Sequence, residues 1–218
     1  MIIGLAASII ATILSLIIGI VSGYIGGKFD LIVQRFIDAV AQLHLHGIIN
    51  QSGRMIDGYP GVRTHQKERE FVLVSEEERD GHPAIVITQR DVRELQKAKA
   101  AIRTGIQVLL ETNGCSDEEI DQVIIAGAFG SYIDVTSAVT LGMLPSLPLN
   151  RFRQVGNAAG MGAKLALLSL SQRSQAQAIA SQVHYIELAR YPDFLETFIE
   201  ANYLGRYRIK GGKREEIN

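Results

Sequence analysis

The sequence predicts an α/β fold, with short strands alternating with helices over residues 38–204. Three observations carry this prediction. The run Val123-Ile124-Ile125-Ala126 leads into the turn Gly127-Ala128-Phe129-Gly130. The run Phe152-Arg153-Gln154-Val155 leads into Gly156-Asn157-Ala158-Ala159-Gly160 and then into a helical stretch, Met161 to Ser169. A long amphipathic pattern after Thr88, itself preceded by strand-like segments, supplies the third. A strand that ends in small residues before a helix start exposes backbone amides with no Cβ in the way. Phosphate or ribose oxygens can approach such a turn closely, and the helix N-terminus favours negative charge. Glycines at such turns also serve helix–strand packing, but two of them together point to a nucleotide cleft.

In order along the chain, Asp30 to His46 reads as an amphipathic helix with Leu31, Ile32, Phe36, Val40 and Leu43 near one face. Gly47 is placed to cap its end. Residues 50–69 are polar and carry the turn Tyr59-Pro60-Gly61. Two strands follow, Glu70 to Val74 and Ala84 to Ile87, joined through Asp80-Gly81-His82-Pro83. Thr88 then caps a long helix with Asp91 in the third position. Val92, Leu95, Ile102, Ile106 and Leu109 form its core face, with Arg90, Glu94, Lys97 and Arg103 opposite. Asn113-Gly114 ends it, and Ser116 with Glu119 opens the next short helix. Val123 to Ala126 is expected at the centre of a sheet. A short helix from Asp134 to Gly142, a helix over Ser171 to Gln182, a strand His184 to Leu188 and a helix Pro192 to Tyr203 complete the domain. The tail from Gly205 is polar and basic.

Composition excludes several function classes. Across 218 residues, 22 Lys+Arg balance 23 Asp+Glu, which leaves no basic field for nucleic acid. Cys115 is the one cysteine, so no iron–sulfur cluster is expected in this chain, because a cluster takes about four thiolates. His44 and His46, two apart, point to different helix faces and make a poor metal pair, and no metal site is expected. No catalytic Ser-His-Asp, paired-cysteine or Walker-type pattern occurs, so no catalytic residue is assigned.

Met1 to Gly27 carries no charged side chain and exceeds the about 20 residues that span a bilayer. Small residues recur every fourth position at Ala7, Ala11, Ser15, Gly19 and Gly23, either as a contact stripe or as the ordinary composition of a membrane helix. Lys28 and Arg35 place the following end in the cytoplasm. The expectation is a single-pass protein of the cytoplasmic membrane with its α/β domain in the cytoplasm. It divides into a transmembrane helix (1–27), an amphipathic helix (28–46), the α/β lobe (47–204) and a polar tail (205–218). With residues 1–27 set aside, the lobe is expected in the cytoplasm.

The run Ile85-Val86-Ile87-Thr88-Gln89-Arg90-Asp91-Val92-Arg93-Glu94-Leu95-Gln96-Lys97-Ala98-Lys99 resembles the C-terminal domain of reductive activators of corrinoid proteins. So do Ala126-Gly127-Ala128-Phe129-Gly130-Ser131-Tyr132, Gly156-Asn157-Ala158-Ala159-Gly160 and Tyr191-Pro192-Asp193-Phe194. Such proteins belong to the sugar kinase, heat-shock chaperone and actin (ASKHA) superfamily. The resemblance implies one ribonuclease-H-like lobe, ATP with Mg as cofactor, and reduction of a Co(II) corrinoid to Co(I). It also implies a corrinoid protein of a methyltransferase system as partner, and homodimerisation is a further expectation. Carried over residue by residue, it makes Gly127, Ala128, Phe129 and Gly130 contacts to adenosine, with Gly156, Asn157 and Gly160 shaping the same cleft. Arg90, Glu94 and Lys97 are expected beside the base, against the plain alternative of a solvated helix face.

The sequence lacks a recognisable first lobe with its phosphate-gripping loop, so the chain alone is not expected to be an active enzyme. Ile18-Gly19, Ser22-Gly23-Tyr24-Ile25-Gly26-Gly27, Asp30, Arg35 and Ile37-Asp38 resemble a dipeptide/oligopeptide ABC-transporter permease. That resemblance makes the chain look like a junction of two gene fragments. It leaves open a transport-related membrane protein with a soluble interaction domain.

Overall fold

A computed structural model describes residues 32–127 and 132–207. Helix α1 covers residues 32–45 and ends at Gly47, whose φ of 72° suits a helix stop. Its buried side chains are Ile37, Val40, Ala41 and Leu43, whereas Ile32 stays exposed. The packed stripe therefore lies about one residue round from the face the spacing predicts.

Strands β1 (Val62–His65), β2 (Glu68–Val74) and β3 (Ile85–Thr88) form an antiparallel sheet in the order β1-β2-β3. β1 falls in a segment expected to be loop. Its hairpin turns on Gln66 and Lys67 at φ 47° and 68°, left-handed positions where Asn-Gly would have announced the turn. Helix α2 (Gln89–Thr112) begins as expected. The Thr88 hydroxyl accepts from the Asp91 amide at 3.1 Å, and the Asp91 carboxylate accepts from the Thr88 amide at 2.9 Å. Ser116 and Glu119 form the same reciprocal pair, here opening a single 3-10 turn over Asp117–Glu119.

Strands β4 (Val123–Ala126) and β5 (Phe152–Gly156) run parallel, separated by α3 (Val135–Thr140). The Arg151 guanidinium donates to the carbonyls of Glu118 (2.9 Å) and Ile120 (2.8 Å), so the strands begin in step. β4 was expected at the centre of a sheet. Among the described residues it pairs with β5 alone, and Ile124 is 61% exposed. Helices α4 (Ala158–Leu168) and α5 (Leu170–Ala180) break at Ser169, whose side chain caps α5, and neither buries a residue. His184 to Leu188 forms no strand among the described residues; no sheet edge receives it, and Tyr185 lies in solvent. Helix α6 (Phe194–Ala201) packs along α2.

One apolar core joins α1, the start of α2, Ile87 of β3, and Ile133, Ala138, Leu141 and Met143 around α3. Leu204 closes it, and its amide donates to the Gln51 carbonyl at 2.7 Å.

The expected membrane placement needs correction. Among the described residues no helix is long and apolar enough to cross a membrane. The longest, α2, carries Arg90, Asp91, Arg93, Glu94, Lys97, Lys99 and Arg103, and the cost of moving such charges into hydrocarbon forbids a span. Met1 to Gly27, on which the expectation rested, lies outside the described residues.

Candidate nucleotide cleft and family membership

The two glycine turns meet. β4 and β5 run side by side until a register shift after Ile125 sets Ala126 opposite Gly156. The Gly127 amide then donates to the Gly156 carbonyl at 2.7 Å. Both glycines have positive φ, 93° and 63°, a conformation that excludes most side chains. Ligands of open α/β sheets bind beyond the carboxyl ends of parallel strands, and Gly127 and Gly156 stand at those ends. Among the described residues a Cβ built on Gly127 meets nothing within 4 Å, so these residues leave one face of the turn open to an approaching group.

Asn157 caps α4. Its side-chain oxygen accepts from the Gly160 amide at 2.8 Å. Gly160 is needed for that cap, since a Cβ there would stand 2.6 Å from the Asn157 Nδ2. The first-turn amides of α4 therefore open beside Gly156, with the positive end of the helix dipole toward the turns. Ala128, Phe129 and Gly130 lie outside the described residues.

Arg90, Glu94 and Lys97 share the exposed face of α2. Glu94 and Lys97 pair at 2.9 Å, and the hydrogen bond from Lys97 holds the Glu94 carboxyl below its usual range. The opposite, inward face is unexpectedly polar. Gln96 donates to the Asn202 carbonyl at 2.8 Å, Lys99 donates to the Tyr203 carbonyl, and Arg103 lies 4.5 Å from the centre of the Tyr207 ring. Residues 202–207 thus run along α2 as a strap. Burial, reinforced by Arg103, lowers the Lys99 ammonium to about 7. Arg103, 1% exposed, pairs with Asp117 at 2.8 Å and donates to Gln107. Its Nε and Nη1 have no partner among the described residues.

The spacing assigned Arg103 to the solvent face. Its actual neighbours, Asp117 and Tyr207, lie outside the helix, so helical periodicity could not report them. Ile102 and Leu109, assigned to the core, are exposed. A signal for the inward polar face does exist in hindsight: Gln96, Lys99, Arg103 and Gln107 recur at three-and-four spacing.

Comparison with known proteins follows the same residues. The family model for the C-terminal domain of RACo, the ASKHA domain, matches residues 35–211. The corrinoid activation enzyme RamQ of Eubacterium limosum is 39% identical over 179 residues, covering 78% of this chain and 30% of that protein. A Co(II) methylated amine-specific corrinoid protein reductase of Methanosarcina barkeri is 32% identical over 101 residues, covering 46% of this chain and 18% of the reductase. A solved reductive activator for corrinoid, iron–sulfur protein superposes with a TM-score of 0.68 at 36% identity, covering 79% of this chain and 28% of that one. The chain thus spans about 30% of the length of the first of these relatives. These matches give the permease-like reading and its transport function no support, and the family match begins only at residue 35. Over those residues the chain belongs to the family of the C-terminal ASKHA domain of RACo.

Proposed function

We propose that residues 47–204 form the nucleotide-binding lobe of an ATP-dependent reductive activator, whose partner is a corrinoid protein of a methyltransferase system. The observation that carries the reading is the hydrogen bond joining Gly127 to Gly156 at the ends of two parallel strands. It brings two phosphate-type turns to one point, beside the start of an 11-residue helix. The names of the relatives supply the corrinoid half of the proposal.

The residues present suit a nucleotide. The open face of Gly127 admits a ribose or base against the backbone, since among the described residues a Cβ there meets no atom within 4 Å. Asn157 keeps the first turn of α4 in place, and its amides face the same end of the strands. Ala128, Phe129 and Gly130 follow Gly127 in the sequence and are assigned to adenosine with it. Arg90, Glu94 and Lys97, on the exposed face of α2, are assigned to the base side of the same cleft. Bound ATP with Mg supplies the driving force for reduction of Co(II) to Co(I). This chain's part is to hold and orient the nucleotide. Transition-state stabilisation needs cations around the γ-phosphate, and the electron donor needs a redox group that a single cysteine cannot ligate. The chain alone is therefore expected to bind nucleotide weakly, with a Kd of about a millimolar, and to show no ATPase activity of its own.

Calorimetric titration of Mg-ATP tests this. Gly127→Val blocks the open face and should abolish binding. Because φ at Gly127 is 93°, that variant also strains the fold. Asn157→Asp is the cleaner arm: it keeps the cap oxygen yet sets a carboxylate where phosphate would sit. Weakened binding at unchanged melting temperature is expected. Identical heats for the wild type and both variants would remove the reading.

A further inference from the structure

Away from the glycine turns, a cavity of about 690 Å3 opens between the β1–β2 hairpin, the loop after Ser52 and the first turns of α2. Arg54, Lys67, Arg69 and Arg93 line it, against one carboxylate, Glu68. Arg69 is already committed: its guanidinium pairs with Asp57, the Nε donating at 2.7 Å. Glu68 is committed too, its Oε1 accepting from the Arg90 amide at 2.8 Å. Arg54, Lys67 and Arg93 have no carboxylate partner among the described residues.

The walls stand without these three cations. Gln89 donates to the Gly53 carbonyl at 2.6 Å and accepts from the Met55 amide at 2.9 Å, fastening the loop to α2. Glu68 fastens the hairpin to the same helix start. The left-handed turn at Gln66 and Lys67 carries Lys67 to the rim. Three like charges held round one cavity repel each other, and an anion between them relieves that cost.

We infer that this cavity is a second ligand site, for a small hydrophilic anion bearing at least two negative charges, bound by Arg54, Lys67 and Arg93. The lining decides the class. No aliphatic or aromatic side chain lines the cavity among the described residues, so nothing there receives a base or an acyl chain. Guanidinium forks donate to phosphoryl and carboxylate oxygens alike, so a phosphoanion and a polycarboxylate share the required chemistry. The site is independent of the nucleotide reading, since neither Gly127 nor Asn157 lines it.

The test is calorimetric titration of the full chain, in a low-salt buffer free of phosphate, with inorganic pyrophosphate in one arm and citrate in the other. Saturable binding in at least one arm is expected, and the tighter arm identifies phosphoryl or carboxylate chemistry. The double variant Lys67→Gln/Arg93→Gln should weaken it at least tenfold. Arg190→Gln, which removes one surface cation 82% exposed and outside the cavity, should leave it unchanged. Circular dichroism checks that each variant folds; Lys67 and Arg93 are exposed, so folding should survive. Absence of saturable heat in both arms overturns the inference. So does an equal loss in Arg190→Gln, which would mean unspecific charge attraction. Loss in Asn157→Asp with retention in the double variant would move the anion to the glycine turns and also overturn it.

Discussion

The part of the molecule built around α2 and the part built around β4 and β5 contain similar apolar side chains but cover them very differently. Leu141, beside α3, is fully buried in the core shared by α1, β3 and α2, whereas Leu167 on α4 is 75% exposed. Around α2, side chains distant in sequence hold one another, down to a strap of residues that carries Leu204 into the core. Around β4 and β5, order comes from local devices: the Arg151 clip, the parallel pairing, and the caps at Asn157 and Ser169. The candidate cleft lies in the uncovered part.

The largest expected effect tests that contrast directly. Leu141→Ala should cost about 2–5 kcal/mol in urea unfolding, from lost transfer energy plus a cavity. Leu167→Ala should change stability by less than about 0.5 kcal/mol. Equal losses would break the comparison and mean that α4 is covered in solution. Asp117→Ala comes next. It leaves the Arg103 guanidinium buried without its carboxylate, and a loss of about 3 kcal/mol is expected by the same measurement. No loss would mean that Tyr207 and Gln107 hold Arg103 unaided.

A smaller effect sharpens the picture of the strap. Lys99 has its folded-state value lowered from 10.5 to about 7. Between those limits the unfolded chain holds a proton that the folded chain does not. Stability from this group therefore rises as pH climbs from about 7 toward 10.5, and the full cost of the buried charge is present below 7. Lys99→Met removes the titration, so its stability relative to wild type should fall by about 2 kcal/mol between pH 7 and pH 9. A difference that stays flat with pH would show Lys99 to be solvated, and the strap to be open.

By itself the sequence determined what forms through contacts a few residues apart. The Thr88–Asp91 and Ser116–Glu119 pairs, the stop at Gly47, the start of α3 at Asp134 and the Asn157–Gly160 cap after Gly156 were legible because their partners lie within a turn of chain. Only the tertiary structure decided the rest. β1 gave no signal, because a Gln-Lys turn at positive φ is held by pairing with β2 and not by its own preference. His184 to Leu188 was expected as a strand, yet it joins no sheet edge among the described residues. Periodicity sent Arg103 to solvent, but Asp117 and Tyr207 bring it inside. The meeting of Gly127 with Gly156 likewise required two strands to lie parallel and in register. Pairing across long stretches of chain depends on where the partner ends up, and no local pattern of residues encodes that.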